Sequence, residues 1–131
     1  MSPRVWLLIA ALLGGVSVAL GAFGAHGLPG FLKERGVDET ELLRRLANWE
    51  TAARYQMYHA LALLAVFASA KAVTPLLNTA GWCWLVGTLI FSGCLFVLVV
   101  TGVKMLGAIV PIGGVLLIVG WVLLGVAALR S

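Results

Sequence analysis

The sequence predicts an all-α integral membrane protein: four transmembrane helices in an antiparallel bundle, with an amphipathic surface helix between the first and second. Three observations point there. Of 131 residues, 62% are hydrophobic and only 11% are charged, whereas about a quarter of a soluble domain is charged. Apolar runs of spanning length recur along the chain, and a chain this short has no interior large enough to hide them from water. All five acids lie between Glu34 and Glu50, and Lys33, Arg35, Arg44, Arg45 and Arg54 lie in or beside that window. Residues 1–131 therefore read as a single membrane domain with one polar segment. The remaining positive charge of the +4 chain is scattered at segment ends. A nucleic-acid binder needs a clustered basic stripe with aromatic residues, so the bilayer is the expected partner and nucleic acid is not.

The first span is expected at about 5–24. Arg4 precedes this run and Ala22-Phe23-Gly24-Ala25 follows it, a pattern shared with signal peptides. A signal h-region is usually about 7–15 residues, and this run is longer. Gly14, Ser17, Gly21 and Gly24 also fall at intervals of three and four. They make a stripe of small residues that lets another backbone approach, which argues for a retained helix. Gly24, Gly27, Pro29 and Gly30 then predict its end.

The amphipathic segment is expected at about 38–50. Asp38 or Thr40 can cap it, Glu39 and Glu41 suit its first turn, and Leu42, Leu43, Leu46 and Trp49 form its apolar stripe. The second span, about 54–73, is harder to place. Its uninterrupted apolar part begins at Met57, so Tyr55, Gln56 and His59 must lie at or inside the membrane boundary, with Lys71 snorkelling at the far end. The surface helix can run into this span with a bend. Thr74-Pro75 and Asn78 suggest a loop.

A third span is expected at about 79–100, with Gly81, Gly87 and Gly93 every six residues and Trp82 and Trp84 in an interfacial belt. The connection Thr101-Gly102-Val103-Lys104 is short, which favours antiparallel neighbours. The fourth span, about 105–129, contains Pro111 and Gly113-Gly114, which predict a kink or a distorted first turn. Both termini then share one face. Six bases lie on the side of the first and third loops and three on the other, so the first loop is expected in the cytoplasm.

Several phrases occur together in order: Gly21-Ala-Phe-Gly-Ala-His26-Gly, Trp49-x-Thr51-Ala-x-x-Tyr55-Gln56-x-x-His59-Ala, Phe91-Ser92-Gly93, Thr101-Gly102 and Leu106-Gly-Ala-Ile-Val-Pro111-Ile-Gly-Gly114. In this combination the chain resembles the YgdD-like family of small bacterial inner-membrane proteins, a domain of unknown function with eukaryotic relatives. The resemblance covers nearly the whole chain. It implies a multi-pass protein of the bacterial inner membrane and supplies no activity. Cys94 stands where the family commonly has serine, and Val110 where it commonly has threonine.

One constellation carries chemistry. At 100° per residue, Asn48, Ala52, Tyr55, His59, Ala62 and Val66 lie within about 40° of one line on a helix. Thr51 lies at the edge of this face, and Gln56 and Trp49 on its other flank. Glu50 and Arg54 pair on the opposite side. Polar groups are costly in lipid unless partnered, so this face is expected to look into the bundle. The candidate ligand or interhelical polar cluster is His59, Tyr55, Gln56, Thr51, Trp49, His26 and Ser92. His59 is read first as a structural histidine, and otherwise as a proton-linked switch or a metal or haem ligand. A His26/His59 pair is topologically possible, but two histidines without a neighbouring cysteine or carboxylate make a poor zinc set. No cofactor is expected, with haem a minor alternative.

Catalysis finds no footing. Ser92 has no acid near it in sequence, the glycine runs contain no phosphate loop, and Cys83 and Cys94 are about 16 Å apart on one helix, too far to bridge. The reading is a non-enzymatic membrane accessory or assembly partner. The alternatives are a binder of a lipophilic ligand, quinone, haem or proton at the Tyr55/Gln56/His59 face, and an oligomeric channel or small-solute carrier. Inverted repeats of the kind that build transporters are not visible in the two halves.

Overall fold

The computed structural model describes residues 1–70 and 72–130. Among these it has five helices: α1 (Pro3–His26), α2 (Leu28–Glu34), α3 (Glu39–Ser69), α4 (Pro75–Thr101) and α5 (Leu106–Leu129). Three of them, α1, α4 and α5, are long and apolar enough to cross a membrane. The expected second span starts inside α3, which ends before it does, at Ser69; α3 does not reach that standard, because Arg54, Gln56 and His59 interrupt its apolar half after a charged first half.

Pro3 stands in the first turn of α1, where its missing N–H is no loss. The helix runs past the expected end to His26 and breaks only at Gly27. Glycine ends α1 there, but a second helix follows at once: Leu28–Glu34 is helical, with Pro29 in its first turn. Proline interrupts the backbone ladder behind it but tolerates the start of a helix. Gly36, at φ +72°, then closes α2 with bonds from Gly36 N–H to the Lys33 carbonyl and from Val37 N–H to the Leu32 carbonyl. This is the paired arrangement in which only glycine is comfortable.

Asp38 caps α3 as expected, accepting from Glu41 N–H at 3.0 Å. The surface segment and the second expected span are one helix of 31 residues. Of the surface stripe, Leu42 and Trp49 are buried and Leu46 is half-buried, but Leu43 points outward. Lys71 lies outside the described residues, so its snorkelling does too. Thr74 caps α4 rather than lying in a loop, accepting from Leu77 N–H, and Asn78 sits in the first turn, accepting from Trp6 Nε1 at 3.2 Å. The short connection holds, with Gly102 at φ +75° ending α4. Pro111 lies inside α5; the turn ahead of it is tightened by bonds from Leu106, Gly107 and Ala108 N–H to carbonyls three residues back.

The helices pack in the order α1, α3, α4, α5, each against the next. Neighbours run in opposite directions: Gly14 meets Ala60 while Gly24 meets Trp49, and Gly81 meets Phe67 while Ser92 meets Ala52. Two apolar cores result. One gathers Trp6, Ala10, Leu63, Phe67, Trp84 and Leu117, with Trp6 stacked on Phe67 at 4.9 Å. The other gathers Leu28, Leu32, Leu42, Trp49, Leu98 and Val99 beneath α2.

Candidate functional site

Five of the candidate residues, Trp49, Thr51, Tyr55, Gln56 and His59, sit along the middle of α3, between α1 and α4; Ser92 is on α4 and His26 ends α1. The buried face of α3 is Trp49, Ala52, Ala53, Gln56, His59, Ala60, Ala62, Leu63 and Phe67. The expected face is corrected in part: its Ala52, His59 and Ala62 are buried, but the buried arc is wider and centred about 70° further round, towards Gln56. Tyr55, expected inside, is 41% exposed, and Thr51 is half-buried. The reason is that α3 is flanked on two sides, and its alanines rather than its larger polar residues mark the close approaches.

Most of these polar side chains reach the backbone of another helix. Trp49 Nε1 donates to the Leu20 carbonyl at 2.7 Å and Gln56 Nε2 to the Leu13 carbonyl at 2.9 Å, both on α1. Ser17 Oγ donates back to the Ala53 carbonyl at 2.6 Å, and Ser92 Oγ, from α4, to the Ala52 carbonyl at 2.8 Å. Gly24 leaves the space that the Trp49 ring fills. These bonds satisfy polar groups that would otherwise be costly in lipid.

His59 is 4% exposed and joins α3 to α5. Its Nδ1 lies 2.7 Å from the Tyr55 carbonyl, and Trp121 Nε1 donates to its Nε2 at 3.2 Å. A carbonyl only accepts and an indole N–H only donates. Both bonds therefore require the neutral ring with its proton on Nδ1. Trp84 packs against the same pair, 4.9 Å from Trp121 and 6.5 Å from His59 between ring centroids. Trp84, expected in an interfacial belt, is fully buried, while Trp82 is 43% exposed; residues two apart on a helix face nearly opposite ways. Trp84 Nε1 and Thr88 Oγ1 are buried without a hydrogen-bond partner among the described residues. Outside His59 a groove of about 520 Å³ opens between α3 and α5, lined by Tyr55, Tyr58, Phe91, Gly114, Ile118 and Trp121 among others.

His26 is exposed at the end of α1. The antiparallel seam sets Gly24 against Trp49, ten residues or about 15 Å of helix before His59. The structure therefore does not bring the two histidines together, and the possible pair is corrected. Among the described residues, no three histidine, cysteine or acidic side chains gather as a metal site. Cys83 and Cys94 are free thiols.

Two features escaped the sequence. Trp121 is 62 residues from His59, with no local pattern to link them. The other is Arg45: its Nη1 donates to the Val99 carbonyl at 2.9 Å, at the end of α4, while Glu41 Oε1 accepts from its Nε at 2.8 Å. Cationic groups favour that end of a helix. Gly102 makes room for the guanidinium, since a Cβ there would fall 2.6 Å from Nη2.

The family model described as "Protein of unknown function (DUF423)" matches residues 20–114. A UPF0382 membrane protein, SAB0533, of Staphylococcus aureus (strain bovine RF122 / ET3-1) is 41% identical over 127 residues, covering 97% of each chain. SERP0230 of Staphylococcus epidermidis is 42% identical with the same coverage. YwdK of Bacillus subtilis (strain 168), also named a UPF0382 membrane protein, is 39% identical over 129 residues, covering 97% of this chain and 98% of its own. No solved structure matches.

Proposed function

This chain belongs to the DUF423 family of proteins of unknown function, and from that premise we propose that it is a non-enzymatic accessory or assembly module of a bacterial inner membrane. In this reading the second half of α3 is a fourth span and the first loop lies in the cytoplasm. The names of the relatives and the likeness to YgdD-like proteins support the location. One observation carries the functional reading: Trp49, Gln56, Ser17 and Ser92 donate to carbonyls of neighbouring helices, and His59 accepts from Trp121 of α5. Side chains committed in this way build a scaffold and leave little to react with a substrate. The outer face of α5, with Ile112, Val115, Ile118 and Val122, is apolar, which suits lipid or another membrane protein better than a polar channel.

The test is photo-crosslinking in the native membrane. Leu42 and Trp49 are buried, so replacing them would test the fold; Leu43, 62% exposed, is the position for the probe. A discrete protein adduct from Leu43, lost when the neighbouring exposed Ala47 becomes Arg, supports an assembly partner. Lipid adducts alone at Leu43 and along α5 would count against it.

The groove beside His59 favours a second reading, a lipophilic ring-bearing ligand such as a quinone. Native mass spectrometry of gently extracted protein would find a defined added mass, lost in Tyr58→Ala, whose side chain lines the groove from a 52% exposed position. Haem ligation or proton transfer by His59 would require it to release Trp121, and a coloured preparation would favour haem.

A further inference from the structure

A second pocket, of about 270 Å³, lies where the first half of α3 crosses the connection between α4 and α5. Its rim is Arg44, Asn48 and Lys104; its wall is Leu95, Leu98, Gly107 and Val110. From Gly102 back along α4 to Leu95 is about 10 Å, and from the start of α5 at Leu106 to Val110 about 6 Å, with Lys104 just above it in the connection. Both helices are apolar enough to cross the bilayer. The pocket is thus polar at the end of the spans and apolar below it.

Its charge is unbalanced. Glu41 accepts from Arg44 Nε at 2.9 Å and Nη2 at 2.7 Å, and also from Arg45 Nε. One carboxylate is shared by two guanidiniums, and Lys104 has no ion pair among the described residues. Arg44, Arg45 and Lys104 against Glu41 leave two positive charges. The half-buried Asn48 amide adds donors, and no bond to another residue engages it among the described residues.

We propose that this pocket binds the phosphate of an anionic phospholipid, with Arg44, Asn48 and Lys104 holding the headgroup and the start of an acyl chain lying on Leu95, Leu98 and Val110. Basic pockets between spanning helices suit such headgroups. A zwitterionic lipid would bring its own cation into a site already carrying two. A free phosphate would gain nothing from the apolar wall. The site is separate from the His59 groove, so it stands whichever reading of that groove holds.

The experiment is native mass spectrometry of the full chain in detergent, titrated with phosphatidylglycerol or phosphatidylcholine. Phosphatidylglycerol retention should fall about fivefold for each base removed, in Arg44→Gln and in Lys104→Gln, and should persist in Lys104→Arg. Arg54→Gln, which removes an exposed base paired with Glu50 outside the pocket, should retain it. Val110→Phe should lower it by filling the wall without changing charge. Equal retention of the two lipids, or an equal loss in Arg54→Gln, would overturn the proposal. So would displacement by inorganic phosphate together with undiminished retention in Val110→Phe, which would leave a plain anion site.

Discussion

The two outer seams of the bundle are built differently. Between α1 and α3, side chains cross the seam and end on carbonyls: Ser17 on Ala53, Gln56 on Leu13, Trp49 on Leu20. Between α4 and α5, backbone meets backbone at glycines. A Cβ on Gly113 would lie 2.5 Å from the Phe91 nitrogen and 2.9 Å from the Gly87 carbonyl oxygen, and one on Gly120 would strike the Trp84 ring. Lipid tails are as apolar as the helices, so helices associate through close packing and hydrogen bonds rather than by escaping water. The first seam can lose one bond and keep its shape. The second has no slack, because a main chain cannot swing aside as a side chain can.

The sharpest break of that contrast is Gly113→Ala. One methyl group should cost about 1–3 kcal/mol through overpacking, read as unfolding in detergent against increasing denaturant. Gly93→Ala, where nothing lies within 4 Å of the added carbon, should cost nothing. Similar losses in both would show that the α4–α5 seam yields, and the contrast would fail.

His59 ties the two halves together through Trp121. His59→Ala should cost about 1–2 kcal/mol, the sum of a lost bond and a cavity. His26→Ala, at an exposed position, should stay within about 0.5 kcal/mol. Equal stabilities would remove His59 from the core. Nitrogen NMR should find the ring neutral with its proton on Nδ1 near neutral pH; the other tautomer would deny the Trp121 bond.

Gln56→Leu and Ser17→Ala should each cost less, about 0.6 kcal/mol, the average for a hydrogen bond between membrane helices. A loss in either as large as that of Gly113→Ala would mean that the α1–α3 seam is no more forgiving than its counterpart.

Much of the α1–α3 seam was legible. Small residues spaced by three and four marked the side of α1 that meets α3, and Asp38 announced the start of α3. That His59 faces inward followed from the cost of polar groups in lipid, while Gln56, set on the flank of that face, is buried as well. What local spacing missed was the width of the buried arc, since α3 touches helices on two sides, and so Tyr55 was placed inside. Gly81, Gly87 and Gly93 were visible as a series. Six residues turn a helix by 600°, so they face different neighbours: Gly81 meets Trp6 and Phe67, Gly87 meets Leu117 and Gly93 meets nothing. Trp121 and Arg45 find partners more than fifty residues away, and no pattern within one helix encodes them. The helix α2 was hidden because glycine and proline end helices but also begin them.

The smallest effect tests whether the polar construction extends to the α3–α4 junction. The Arg44 guanidinium, and after it that of Arg45, hold the Glu41 carboxyl down to about 2 from an ordinary 4.5. A lowered carboxyl contributes its stability above the ordinary value and loses it as pH falls towards the lowered one. Between about pH 4.5 and pH 2, Glu41 should therefore release Arg45, and Arg45 should hold the Val99 carbonyl less firmly. Hydrogen exchange should quicken around residues 39–43 and at the end of α4, while the Gly87–Gly113 crossing stays protected. Glu41→Gln should show the looser junction already at pH 7 and no further change from this group in acid. Exchange that quickens equally at the glycine crossing would mean that acid acts on the whole bundle, and that the two kinds of seam do not come apart independently.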